Sequence, residues 1–162
     1  MLKTITLTAV LTMAASGLAH AGGQEGSIGV GAEFQLNGLT GGPSLNYDAG
    51  AFHVGGFFSF EDADGPDNTE YSLGARFYYH VHSTAMSDFG LGGSLAIRSY
   101  EPGMGADRQT DVFFEPGVQI RLFLAANVAI SAATGIVIGV ADADGVLITG
   151  QTITAGIHYY FF

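Results

Sequence analysis

Leu147 to Phe162 reads LITGQTITAGIHYYFF, and its alternation decides the fold. Every second residue from Ile153 gives Ile153, Ala155, Ile157, Tyr159 and Phe161 on one face. The other face is Thr152, Thr154, Gly156, His158 and Tyr160. Alternation of this length is a β-strand with one apolar face and one polar or small face. The sequence ends on Phe162 with no charged tail, and a strand closing a membrane barrel has a use for an aromatic end at the membrane–water interface.

Working outward, turn signals punctuate seven further alternating runs. They fall at about 27–36, 43–48, 51–60, 70–80, 88–98, 110–122 and 128–140. Their large residues share one face, as with Ile28, Val30 and Phe34, or Tyr71, Leu73, Phe77 and Tyr79. Most runs approach the roughly 9–11 residues that a tilted strand needs to cross a bilayer. The connections alternate in character. Those at 37–42, 61–69, 99–109 and 141–145 are polar, glycine-containing or acidic, while those at 48–50, 81–87 and 123–127 are tighter or less charged. That rhythm predicts an all-β chain forming an eight-stranded antiparallel up-and-down transmembrane β-barrel, with both termini at the periplasmic rim.

Chemistry decides which face meets lipid. The face opposite the large apolar residues carries Glu33, Gln35, Asn46, His53, Arg76, Arg98, Asp111, Glu115, Gln119 and Arg121. An Arg at the bilayer midplane costs about 2–4 kcal/mol, so these residues are expected to look inward. A soluble barrel of lipocalin type inverts the arrangement. Its outer surface would then be lysine-free and poor in charge, which is an odd surface for solubility.

The first 21 residues read as a secretory signal peptide, with Lys3, an uncharged run from Thr4 to Leu18, and small residues at Ala19 and Ala21. The run is short for a membrane-spanning helix, and without a cysteine there is no lipoprotein anchor, disulfide framework or thiol chemistry. Residues 22–162 are expected to form one outer-membrane barrel domain. They hold no lysine, and four arginines against fifteen acids leave a formal charge of −11. Such a balance excludes nucleic acid as a partner and a basic helix lying on a membrane surface.

The terminal strand resembles that of bacterial outer-membrane β-barrels, which typically end in an aromatic residue that the barrel-assembly machinery reads. Here the matching residues are Tyr159, Phe161 and Phe162. Phe161 keeps the lipid-facing parity and Phe162 stands one step past it. With the leader and strand rhythm, the chain is similar to the transmembrane domain of outer-membrane protein A and related barrels. That resemblance implies a non-enzymatic Gram-negative outer-membrane protein, with lipid, lipopolysaccharide and the assembly machinery as partners and a monomeric state.

An eight-stranded barrel has an interior just wide enough for side chains to fill. Charges there must be paired. Glu33, Arg76, Arg98, Glu115 and Arg121 are the candidate lumen network, with Glu70 and Asp111 toward the outer rim. A structural plug is the expected role, and partner exchange that opens a polar path is the alternative. The lumen face is also rich in Gly, Ala and Ser, which would suit a conduit for a small apolar solute, as in outer-membrane protein W-like barrels. A soluble periplasmic binding barrel is a third reading.

No cofactor or metal is expected. Glu61-Asp62-Ala63-Asp64-Gly65-Pro66-Asp67 and Asp142-Ala143-Asp144-Gly145 resemble part of a calcium loop but lack the bidentate Glu at the twelfth position. They read as solvated loops, with weak divalent bridging to lipopolysaccharide as an added role. His80-Val81-His82-Ser83 brings His and Ser together, as small barrel lipases do. Thr84 stands where the deacylase pattern has Asn, and Asp88 is the nearest acid, so no catalytic residue is assigned.

Overall fold

In the computed structural model, the described residues are 24–35, 40–62, 69–101, 103, 105–141 and 145–161. The proposed signal peptide, Phe162 and the segments at 63–68 and 142–144 lie outside them. Eight strands follow in order: β1 (Ile28–Gln35), β2 (Thr40–Asp48), β3 (Phe52–Asp62), β4 (Thr69–Ser83), β5 (Ser87–Tyr100), β6 (Gln109–Ala125), β7 (Val128–Ala141) and β8 (Gly145–Phe161). Each pairs antiparallel with the next. The barrel closes where β1 meets β8, with Ile28 opposite Phe161 and Gln35 opposite Thr154. Closure satisfies both edges of every strand, which lets a strand protein stand in hydrocarbon without unpaired backbone.

Several strands run past the ends expected from the sequence. β2 begins at Thr40 because Gly41, Gly42 and Pro43 pair with β1. Pro43 is accommodated because the β2–β3 ladder covers only Ser44 to Asp48, so its missing N–H is not needed there. Pro116 lies within β6 for a related reason. The β6–β7 register passes from Phe114 to Gly117 without pairing Glu115 or Pro116. β4 continues to Ser83 through an irregularity between His80 and His82, so this segment is strand rather than connection.

The two rims differ. At the end holding Ile28 and Phe161, the terminal rim, the connections are the short turns 49–51, 84–86 and 126–127. The first is set by Asp48, whose Oδ1 accepts from the Gly50 N–H at 2.9 Å, while Gly50 takes the left-handed φ of 78° that suits glycine. In the second, Thr84 Oγ1 accepts from the N–H groups of Met86 and Ser87. The opposite end, the loop rim, carries the longer connections at 36–39, 63–68 and 101–108, together with 142–144.

The faces are inverted relative to a water-soluble barrel. Ile28, Val30, Leu45, Leu73, Leu95 (54% exposed), Phe114, Ile157 and Phe161 point outward. Glu33, Asn46, Asp48, His53, Asp88, Asp111, Gln119, Arg121 and His158 are buried inside. The apolar core is small, with Phe123, Ala129 and Tyr160 clustered near the terminal rim. The interior is held by hydrogen bonds and charge more than by hydrophobic packing.

Candidate functional site: a tiered polar lumen

The inward parity of neighbouring strands stacks the lumen side chains in three tiers. Nearest the terminal rim, Arg121 on β6 is 2.7 Å from Asp48 at the end of β2 and 2.7 Å from Asp88 at the start of β5, with the same Nη2 serving both. Its Nη1 donates to the Tyr160 hydroxyl at 3.2 Å, and its guanidinium lies 5.3 Å from the centroid of the Phe123 ring. Both carboxylates and the guanidinium are almost wholly removed from solvent. A guanidinium between two carboxylates offsets part of the desolvation that each charge suffers in such a place.

Histidines extend this tier. His80 Nδ1 is 2.8 Å from the Gly50 carbonyl, and its Nε2 is 2.8 Å from His53 Nδ1 and 3.1 Å from Arg121 Nη2. His53 stacks on Tyr78 with centroids 5.5 Å apart. Among the described residues, Asp48, His80 and Asp88 also bring ligating atoms close enough together to suit a metal ion, but the Arg121 guanidinium already stands among them.

In the middle tier Arg76 forms an ion pair with Glu33, both buried, and stacks on Phe57 at 4.8 Å from the ring centroid. His158 Nε2 is 2.7 Å from Ser44 Oγ and 3.5 Å from Glu33 Oε1. Glu115 is held differently. Its carboxylate accepts from Ser94 Oγ at 3.2 Å and from the Thr152 hydroxyl, and no arginine pairs with it among the described residues.

Toward the loop rim, Arg98 makes a two-pronged contact with Glu70, with Nε and Nη2 at 2.7 and 2.6 Å from its two oxygens. Its guanidinium lies 4.7 Å from the Tyr100 centroid. Arg108 pairs with Glu101 at 2.7 Å outside the lumen network.

The five lumen candidates named from the sequence therefore do not form one cluster. Glu33 and Arg76 pair with each other, whereas Arg98, Arg121 and Glu115 take other partners. Asp48 and Asp88, which the sequence reading left in or beside turns, are the partners of Arg121. Their signal was parity, since Asp48 shares the face of Asn46 and Asp88 that of Gly90. Of the terminal-strand residues, Tyr159 and Phe161 point outward, with ring centroids 5.0 Å apart. Ser83, considered with His80 and His82 as a nucleophile, lies exposed at the end of β4, while His80 turns inward to Arg121.

Above the middle tier lies a cavity of about 540 Å³, opening toward the loop rim where Gln35, Glu61 and Glu70 border it. Glu33, Arg76 and Tyr78 close its inner end, and the Arg121 tier lies beyond.

No family model matches the sequence, and no curated protein matches it. Among solved structures, the N-terminal β-barrel domain of Pseudomonas aeruginosa OprF superposes with a TM-score of 0.67 at 13% identity, covering 85% of this chain and 98% of that one. The chain has the fold of the eight-stranded outer-membrane barrels. Ail, the attachment invasion locus protein of Yersinia pestis, aligns at 18% identity and a TM-score of 0.46, over 85% of this chain and all of that one.

Proposed function

We propose that the protein is an integral barrel of a Gram-negative outer membrane, non-enzymatic and structural, with a lumen stoppered at its periplasmic half. The observation that carries this reading is the inverted pair of faces, an apolar exterior on all eight strands around a buried, charged interior. In water, that exterior would be one continuous apolar patch far beyond what soluble proteins tolerate. In lipid it meets hydrocarbon, and every charge avoids it. The terminal rim, with its short turns, then faces the periplasm.

The stopper reading rests on the Arg121 tier. It spans the lumen from β2 through β4 and β5 to β6, and Tyr160 adds β8. The wall charges speak against an apolar-solute conduit, since the cavity is bordered by carboxylates and guanidinium groups. Tyr159 and Phe161 serve the barrel-assembly machinery in this scheme, and the barrel works as a monomer among lipid and lipopolysaccharide.

The test combines membrane fractionation, gel mobility with and without boiling, and conductance in planar bilayers. A detergent-requiring, heat-shifting protein without steady conductance is expected. Recovery in the soluble periplasmic fraction without a heat shift would overturn the membrane reading. Stable channels in pure protein would overturn the stopper alone.

A further inference from the structure

The cavity above the middle tier has a charge balance that the chain itself does not neutralise. Its wall carries Glu33, Glu61, Glu70 and Glu115 against Arg76 and Arg98. Both guanidinium groups are committed, Arg76 to Glu33 and Arg98 to Glu70. Glu115 is held by two hydroxyls, and Glu61 has no cationic partner among the described residues. The other two arginines, Arg108 and Arg121, pair with Glu101, Asp48 and Asp88 elsewhere, and no lysine follows Lys3. No side chain of this barrel is thus left to fill the place.

A second observation lies in the aromatic part of the wall. The walls also include Phe57 and Phe113, and Phe57 already carries a guanidinium on its face. Aromatic faces attract organic cations. A volume of about 540 Å³ lies within the range of small-molecule sites.

Resting on the outer-membrane barrel reading, we infer that this cavity binds a small organic cation, of the ammonium or guanidinium class, entering from the loop rim and anchored by Glu115. A metal ion fits less well. The wall carboxylates come from β1, β3, β4 and β6, and among the described residues only Asp48, His80 and Asp88 converge closely enough for coordination, at the other end of the lumen. A flexible diamine or an alkylguanidine can reach separated carboxylates, donating to one while its methylenes lie against the aromatic rings.

The test uses the full barrel refolded in detergent micelles and titrated calorimetrically with 1,4-diaminobutane, the neutral 1,4-butanediol, succinate and calcium. Saturable binding of the diamine is expected, with none for the diol or succinate and no competition by calcium. Glu115→Gln should weaken the diamine by about tenfold or more, the scale of one hydrogen bond to a charged group. Glu61→Gln, at the rim, should weaken it less. The heat shift on gels is read on each sample. A folded, heat-shifting barrel that does not bind the diamine overturns the inference and leaves the membrane reading standing. Equal affinity for the diol, an unchanged Glu115→Gln, or displacement by calcium overturns it as well. A protein without the heat shift fails the membrane reading, and this inference falls with it.

Discussion

Arg121 stands opposite Asp88 across the β5–β6 ladder, and its Nη2 bridges from Asp88 to Asp48 at 2.7 Å each. The bridge ties β6 to β2, strands that are not neighbours in the barrel. Arg121→Gln leaves two buried carboxylates facing each other without a cation. Removing one member of such a buried set costs about 3–5 kcal/mol. Asp88→Asn should cost less, because Arg121 keeps Asp48. Urea unfolding in lipid vesicles, followed by loss of the heat-shifting band, measures both. Equal losses from the two substitutions would show that the two carboxylates do not share one cation.

His80 sets the hydrogen-bond direction of the same tier. The Gly50 carbonyl can only accept, so His80 Nδ1 carries the hydrogen and the neutral ring offers Nε2 as an acceptor. Arg121 Nη2 and His53 Nδ1 then both donate to that one atom. His53 is left with a bare Nε2, which is buried and accepts no hydrogen bond. Nitrogen-15 NMR of the refolded barrel at neutral pH should show the Nδ1–H form for both rings. An Nε2–H signature for His80 would contradict the direction assigned here.

Leu95 tests the outer surface. It is 54% exposed near the middle of β5, between Ala75 and Phe114 on the neighbouring strands. In a bilayer, Leu95→Arg costs about 2–4 kcal/mol where it falls near the midplane. Folding yield into vesicles should fall accordingly, and Leu95→Phe should leave it unchanged. On a water-facing surface the arginine would be harmless, so full folding of Leu95→Arg would argue against the membrane assignment.

Much of this architecture could be read from alternation alone. Strand number, the sense of each face and the inward set from Glu33 to Arg121 all follow from a period of two, because a one-residue slip would turn Arg76 or Glu115 into lipid. The pairings were less accessible. Which carboxylate meets which arginine depends on the height of each residue in the closed barrel, and that height is set by ladder offsets. Asp48 and Asp88 sit at strand ends beside turn residues, where acids ordinarily serve the turn. Asp48 does both, accepting from Gly50 with one oxygen and meeting Arg121 with the other. His80 has the inward parity of Arg76 and Tyr78, and that signal is lost when it is grouped with His82 and Ser83, which lie beyond the irregularity.

Gly31 and Gly56 separate two uses of glycine in the strands. A methyl group added at Gly31 would collide with the Ile157 carbonyl on β8, at the seam where the barrel closes. Backbone cannot swing aside as a side-chain tip can, so Gly31→Ala must push β1 from β8. At Gly56 the nearest atom to such a methyl is the Gly74 carbonyl oxygen at 3.7 Å, an ordinary contact. Gly56→Ala should therefore be neutral or slightly stabilising, through the lost freedom of the unfolded chain. Gly31→Ala should lower the unfolding free energy by more than about 1 kcal/mol, in the range of overpacking. Amide exchange across the β1–β8 seam locates the effect. Protection should fall at Val30 and Ala32 in Gly31→Ala and stay unchanged there in Gly56→Ala.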